Sequence, residues 1–159
     1  MEISESAAVI VNSLIDTARL MSESGQELVP VAFLGMPNGN IGAIELNTGD
    51  NIQKDLSAKV ISTLAKEMNA TFILTIMEAW MVRITQKDYP TGIAVKDHPD
   101  RIDCVSIMFE NKDGVWGDRI PFEVKENGAR TFRAVNLHFT DRTEGRFVGL
   151  LNTQTGKLN

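Results

Sequence analysis

The stretch from Thr71 to Ile84, TFILTIMEAWMVRI, is the longest apolar and β-prone segment of the chain, and it constrains the fold more than any other. In a pleated strand, alternate residues point to opposite faces, which divides the segment into two files. The file from Phe72 to Ile84 is apolar except for Glu78, and the file from Thr71 to Arg83 is half apolar. Apolar residues in both files are typical of a strand that is covered on both faces. We therefore predict that this segment is the central strand of a sheet.

The first seventy residues have helical and hairpin patterns. Residues 4–24 repeat apolar side chains at three- and four-residue spacing, which predicts an amphipathic helix that can be capped by Ser4 or Ser6 and that ends at Gly25. Residues 29–46 contain two short β-prone runs, and the turn sequence PNGN between them predicts a hairpin.

A second helix is predicted over residues 51–69, after a cap at Asp50. Apolar residues recur there at every fourth position, and Ile61 and Ala65 widen the stripe that they form. We predict that this stripe packs against the sheet. Its members are Ile52, Leu56, Val60, Leu64 and Met68.

Three further β-prone segments lie at 102–110, 119–125 and 131–139. The last two are joined by Asn127-Gly128, a strong signal for a tight hairpin turn. We interpret the central strand and these segments together as three long strands in a meander, and the resulting element order α-β-β-α-β-β-β predicts a single α+β domain over residues 1–159. We expect a two-layer architecture, in which both helices cover one face of an antiparallel sheet of about five strands. Residues 152–159 are expected to form a flexible tail.

Composition limits the classes of function. The formal net charge is −5, and the basic residues are not clustered, so the chain has no footprint typical of nucleic-acid binding. The single cysteine, Cys104, excludes an internal disulfide, and no apolar run reaches the length of a membrane span. We therefore expect a cytoplasmic protein that does not interact with membranes or nucleic acids, and the sequence predicts no cofactor.

The long polar segment from 85 to 101 is predicted to be an exposed loop, and it carries the candidate binding residues. These are Asp97, His98 and Asp100, with Asp103 close behind them. Their spacing matches no recognised metal-binding loop, so no metal site is predicted.

Glu78 and His138 are the candidate catalytic residues. Glu78 is a carboxylate in an otherwise apolar file, and two interpretations of it stay open. It can act in acid–base chemistry, or it can be a structural carboxylate that is paired with an arginine or hydrogen-bonded to a backbone amide. The candidate arginine partners are Arg83, Arg101, Arg119 and Arg133.

Two resemblances bear on these alternatives. The EAW triplet at Glu78–Trp80, followed by HPDR at 98–101, resembles a group of small bacterial and phage proteins that have no established activity. The predicted element order is similar to that of the roadblock family, whose members are dimeric adaptor modules. The first resemblance implies no catalytic residue, and the second implies self-association.

We predict a non-enzymatic interaction or regulatory module that forms a homodimer and can also bind another protein. The reason for the dimer is that Ile73, Met77 and Met81 need cover that two helices on the other face cannot give. The alternative is a small metal-dependent or acid–base hydrolase that uses Glu78, the 97–103 loop and His138.

Overall fold

The computed structural model of the chain describes residues 2–82, 97, 99–140, 147 and 149–151. It has an α+β fold with two helices, a six-stranded antiparallel sheet and a separate two-stranded ribbon. The elements follow one another as α1 (Glu5–Glu23), β1 (Val31–Gly35), β2 (Ile41–Glu45), α2 (Asn51–Glu67), β3 (Phe72–Met81), β4 (Ile102–Asn111), β5 (Gly114–Pro121), β6 (Glu123–Val124), β7 (Arg130–Thr131) and β8 (His138–Thr140). The strand order in the large sheet is β2-β1-β3-β4-β5-β8, and β6 pairs with β7. The α+β prediction is confirmed, with six strands instead of about five.

Both helices begin at the predicted caps. The Ser4 hydroxyl accepts a hydrogen bond from the Ala7 N–H at 3.3 Å, and the Asp50 carboxylate accepts one from the Gln53 N–H at 2.7 Å. These bonds satisfy N–H groups that have no partner within the helix. After α1 the chain turns at Gly25, which has a φ of 82° that glycine adopts at little cost. Neither helix in the described ranges is long and apolar enough to cross a membrane.

The central strand β3 is covered on both faces, as predicted, by two separate hydrophobic clusters. Phe72, Leu74 and Ile76 belong to the first cluster, with Val11, Ile15 and Ala18 of α1. Ile73 belongs to the second cluster, with Ala58, Ile61 and Ala65 of α2. Because alternate residues of a strand face opposite ways, α1 and α2 lie on opposite faces of the sheet. We call these the α1 face and the α2 face.

The predicted two-layer arrangement with both helices on one face is therefore wrong, and three layers are present. Helix α2 connects β2 to β3, two parallel strands with β1 between them, so it must cross a sheet face. It crosses the face opposite α1. Ile73 is only 2% exposed beneath α2, so the uncovered file that suggested a dimer does not exist at this position. Self-association itself stays a prediction.

Helix α2 is also rotated relative to the prediction. Its buried residues are Ala58, Ile61 and Ala65, whereas Ile52 is 73% exposed, Leu56 57% and Val60 48%. Small alanines on the inner side let the helix approach the sheet closely, where Ala32 and Leu34 of β1 face it. The four-residue stripe thus lies mainly at the surface. Only its member Leu64 is partly buried against the second cluster, while Met68 is 48% exposed.

A short segment completes the α2 face beside the helix. Phe147 and Leu150 join the second cluster, and the buried Glu110 carboxylate of β4 holds this segment in place. It accepts hydrogen bonds from the backbone N–H groups of Gly149 at 2.8 Å and Leu151 at 2.6 Å. Glu110 therefore fixes the 149–151 backbone to the sheet.

On the α1 face, the chain after β7 crosses the sheet as an irregular segment. Phe132 enters the first cluster, and Arg19 of α1 donates hydrogen bonds to the carbonyls of Phe132 and Arg133. Asp118 of β5 accepts two hydrogen bonds from Arg133, at 2.9 and 3.0 Å, and one from the Asn136 N–H at 2.9 Å. Burial alone raises the pKa of the Asp118 carboxyl, but these hydrogen bonds hold it below its ordinary value.

The predicted strand over residues 131–139 is consequently divided in two. Its first residue, Thr131, pairs with β6 in the ribbon, and its last residues lie in β8 at the edge of the large sheet. Between them, the Asn136 N–H bonds to a carboxylate instead of a neighbouring strand. The predicted turn at Asn127-Gly128 is confirmed, with Gly128 at a φ of 83°.

Candidate functional site

Glu78 lies on the α1 face of β3 and forms an ion pair with Arg130, which the ribbon strand β7 carries over the sheet. The two side chains are 33% and 24% exposed, so both are partly shielded from water. The guanidinium of Arg130 also lies 4.3 Å from the centre of the Phe122 ring. This arrangement is typical of a structural ion pair, whereas a general acid usually lies against apolar groups or a second carboxylate.

The arginine partner differs from those expected. Arg101 lies over the Trp80 ring at 4.7 Å, Arg133 pairs with Asp118, and Arg83 lies outside the described residues. Arg119 is exposed on β5, where Ser106 is its cross-strand partner.

The structure does not bring Glu78 and His138 together. Glu78 is on the α1 face, whereas His138 pairs with Gly117 of β5 and so lies on the α2 face. Strands β4 and β5 separate the two residues, which corresponds to roughly 14 Å across the sheet. A mechanism in which these two side chains act on one substrate is incompatible with this placement.

The acidic candidates are dispersed near the start of β4. Asp97 and Asp100 are exposed, and Asp103 lies on β4 opposite Trp80 of β3. His98 and most of the predicted 85–101 loop lie outside the described residues. Among the residues that are described, no three His, Cys, Asp or Glu side chains are grouped so that they could hold a metal ion.

Cys104 is a core residue. It is completely buried on the α2 face, and burial raises the pKa of its thiol. Nearby Arg119 lowers that pKa and Asp103 raises it, so the net shift is still upward. A buried thiol that resists ionisation does not serve as a nucleophile.

A cleft of about 420 Å³ lies at the end of β3, on the side of the strand where β1 stops. Met77, Ala79 and Trp80 line its floor, and Lys54 and Phe147 form part of its walls. Its volume falls within the usual range of ligand sites, about 300–1,000 Å³. Asp103 and Glu78 also line this cleft, so two of the predicted site residues come together here.

A second groove, of about 210 Å³, runs between α2 and the edge strand β2. Ile44 of β2 and Leu56 and Val60 of α2 line it, with Gln53 and Ser57. The sequence pattern singled out Leu56 and Val60 but assigned them to the core. No pattern singled out Lys54, because the cleft around it forms only when α2, β3 and the segment at 147 are assembled.

Comparisons of the chain with protein-family models, with curated proteins and with solved structures find no match.

Proposed function

We propose that this protein is a non-enzymatic interaction module that self-associates through the exposed side of α2 and the free edge of β2. The observation that carries the proposal is the exposure of Ile52, Leu56 and Val60, on successive turns of one helix, at 73, 57 and 48%. Single exposed apolar side chains are common, but an apolar surface that continues into a groove is typical of an interaction site. The groove between α2 and β2 provides that continuity.

The outer edge of β2 contributes backbone hydrogen-bonding groups to the same proposed surface. Among the strands that the structure describes, β2 pairs only with β1. The Met36 N–H bonds to the Asn40 carbonyl, and the Leu46 N–H bonds to the Pro30 carbonyl. Because backbone groups alternate in direction along an antiparallel strand, the intervening odd-numbered residues of β2 direct theirs away from β1. These residues are Ile41, Ala43 and Glu45.

A second copy of the chain fits this edge by symmetry. Antiparallel pairing about Ala43 places Ile41 opposite the partner's Glu45, so like charges do not face each other. A two-fold axis perpendicular to the joined sheet keeps both α2 helices on the same side of it. Each exposed apolar stripe then lies next to the new strand junction.

The oligomeric state tests this proposal, and it is measured by light scattering coupled to gel filtration at tens of micromolar protein. We expect a dimer for the wild type and a monomer for Leu56→Glu, which places a charge in the stripe. Ala43→Pro should also give a monomer, because proline removes an outward N–H that the edge needs while leaving the bonds to β1 intact.

Leu20→Glu is the matched control, since Leu20 is 68% exposed on α1, away from this surface. It should leave the dimer intact. A monomeric wild type, or a control that dissociates as readily as the two variants, would contradict the proposal. Circular dichroism of each variant verifies that its fold is retained.

We also propose a cytoplasmic location. The support is that Cys104 is unpaired and buried, so the folded state does not depend on an oxidising compartment.

A further inference from the structure

We propose that the end of β3 binds an extended, acidic peptide of a partner protein as an added strand. Strand β1 lies between β2 and β3, and on β3 it pairs with residues 72–76 only, from Phe72 to Ile76. The rest of β3, residues 77–81, pairs with β4 on its other side. In the described part of the chain, no strand lies on the β1 side of this overhang.

The overhang presents a row of backbone hydrogen-bonding groups. The even-numbered residues of β1 bond to β2, so its odd-numbered residues bond to the even-numbered residues of β3. Glu78 and Trp80 continue that row past the point where β1 begins. Pro30 immediately precedes β1, and the pairing stops there. A short extended segment can therefore take the place that β1 leaves, which is the recognition mode called strand addition.

The cleft beside this row has room for the side chains of such a peptide. Its volume is about 420 Å³, and Met77, Ala79 and Phe147 give it apolar surface on the α2 face. Alternate side chains of an added strand point to that face. The cleft and the groove next to β2 share no lining residue, so this site is separate from the proposed self-association surface.

The charges around the cleft select an acidic peptide. Lys54 of α2 lines the cleft, and within the described ranges it forms no ion pair. The charge of Glu78 is already matched by Arg130. Asp103 also lines the cleft, but the register of β3 and β4 places it on the α1 face, like Glu78, and not on the α2 face where Met77 and Ala79 lie. Among the described residues that line the cleft, Lys54 is thus the one charged side chain that is not on the α1 face.

The first test uses the free protein. Backbone amide exchange, followed by NMR, should show that the N–H groups of Glu78 and Trp80 exchange much faster than that of Leu74, which bonds to β1. Strong protection of the Glu78 and Trp80 amides in the free protein would show that the row is already occupied, and it would overturn the proposal.

The second test uses three capped pentapeptides, DVTVD, KVTVK and DPTPD, as probes. The acidic peptide DVTVD should shift and protect the amides of Glu78 and Trp80 and should bind roughly fivefold more tightly than KVTVK, the upper range for a partly exposed ion pair. DPTPD should not bind, because its prolines lack the N–H groups that an added strand needs.

Variants of two lysines on α2 identify the selecting charge. Lys54→Glu should reverse the preference between the acidic and basic peptides. Lys66→Glu, in the last turn of the same helix, should leave it unchanged. Absence of binding at millimolar peptide, shifts confined to the β2 edge at 41–45, or an unchanged preference in Lys54→Glu would each overturn the proposal.

Discussion

Replacing Glu78 with glutamine should destabilise the protein, because it removes one charge of the Glu78–Arg130 pair and leaves the other unpaired. The size of the loss follows from exposure. Fully exposed pairs contribute about 0–1 kcal/mol, and breaking a fully buried pair costs about 3–5 kcal/mol. The side chains here are 33% and 24% exposed, between those limits. We therefore expect the free energy of unfolding to fall by about 1–2 kcal/mol, nearer the exposed limit because water still reaches both groups.

A chain of this length loses about 2–4 °C of melting temperature per kcal/mol, so the midpoint should fall by about 2–8 °C. Urea denaturation of the wild type, Glu78→Gln, Arg130→Gln and the double variant gives the coupling energy of the pair. This double-mutant cycle is needed because Arg130→Gln also removes the contact with the Phe122 ring, which contributes about 0.5–1 kcal/mol.

Glu126→Gln is the matched control, since Glu126 is an exposed carboxylate near the same ribbon. Its effect should stay within about 0.5 kcal/mol. A coupling energy below about 0.3 kcal/mol would show that the Glu78–Arg130 pair does not stabilise the fold. A gain in stability in Glu78→Gln would favour a functional role for this carboxylate.

Three further predictions concern buried polar groups. The pKa of the Asp118 carboxyl is lowered in the folded state, so its ionised form stabilises the protein fully above the unfolded pKa of about 3.9 and less as pH falls through the folded value. Asp118→Asn should therefore reduce the loss of folding free energy with falling pH below about pH 5. Urea melts from pH 6 to pH 2 measure this loss, and an unchanged pH dependence in the variant would contradict the prediction. Glu110→Gln should lower the free energy of unfolding by about 2–3 kcal/mol, because it weakens the charge-assisted hydrogen bonds to the 149–151 backbone. Limited proteolysis should then cleave that segment sooner than in the wild type, and equal proteolysis rates would contradict the prediction. Cys104 should react with a disulfide reagent only at the rate of unfolding, and fast labelling under native conditions would show that it is not buried.

The central strand and the helix boundaries could be predicted because their signals are local. Alternation around Glu78, the caps at Ser4 and Asp50, and the turn at Gly25 depend on neighbouring residues alone. The face of α2 could not be predicted in this way. Ile52, Leu56 and Val60 form the more hydrophobic stripe, which Ile61 and Ala65 only widen, and nothing local indicates that these two residues pack inward with Ala58 while the stripe itself stays exposed.

The partners of the candidate site residues also could not be predicted from local sequence signals. The sequence indicates that Glu78 needs a partner, but its partner Arg130 is 52 positions away and reaches it only because the ribbon β6–β7 turns over the sheet. The division of the predicted strand at 131–139 has a comparable cause, since the Asp118 carboxylate captures the Asn136 N–H. Long-range hydrogen bonds of this kind leave no periodicity in the sequence.

The position of β1 next to β3 has a consequence during synthesis on the ribosome. A nascent chain that ends before Phe72 contains both helices and the β1–β2 hairpin, but not the strand on which they pack. A two-stranded hairpin is marginally stable by itself, so these elements must wait for β3. At about 5–20 residues per second, translation of β3 to β5 takes several seconds, and the apolar sides of α1 and α2 stay accessible meanwhile. We expect chaperones that bind nascent chains to associate with this protein before β3 emerges and to dissociate as β3, β4 and β5 pair.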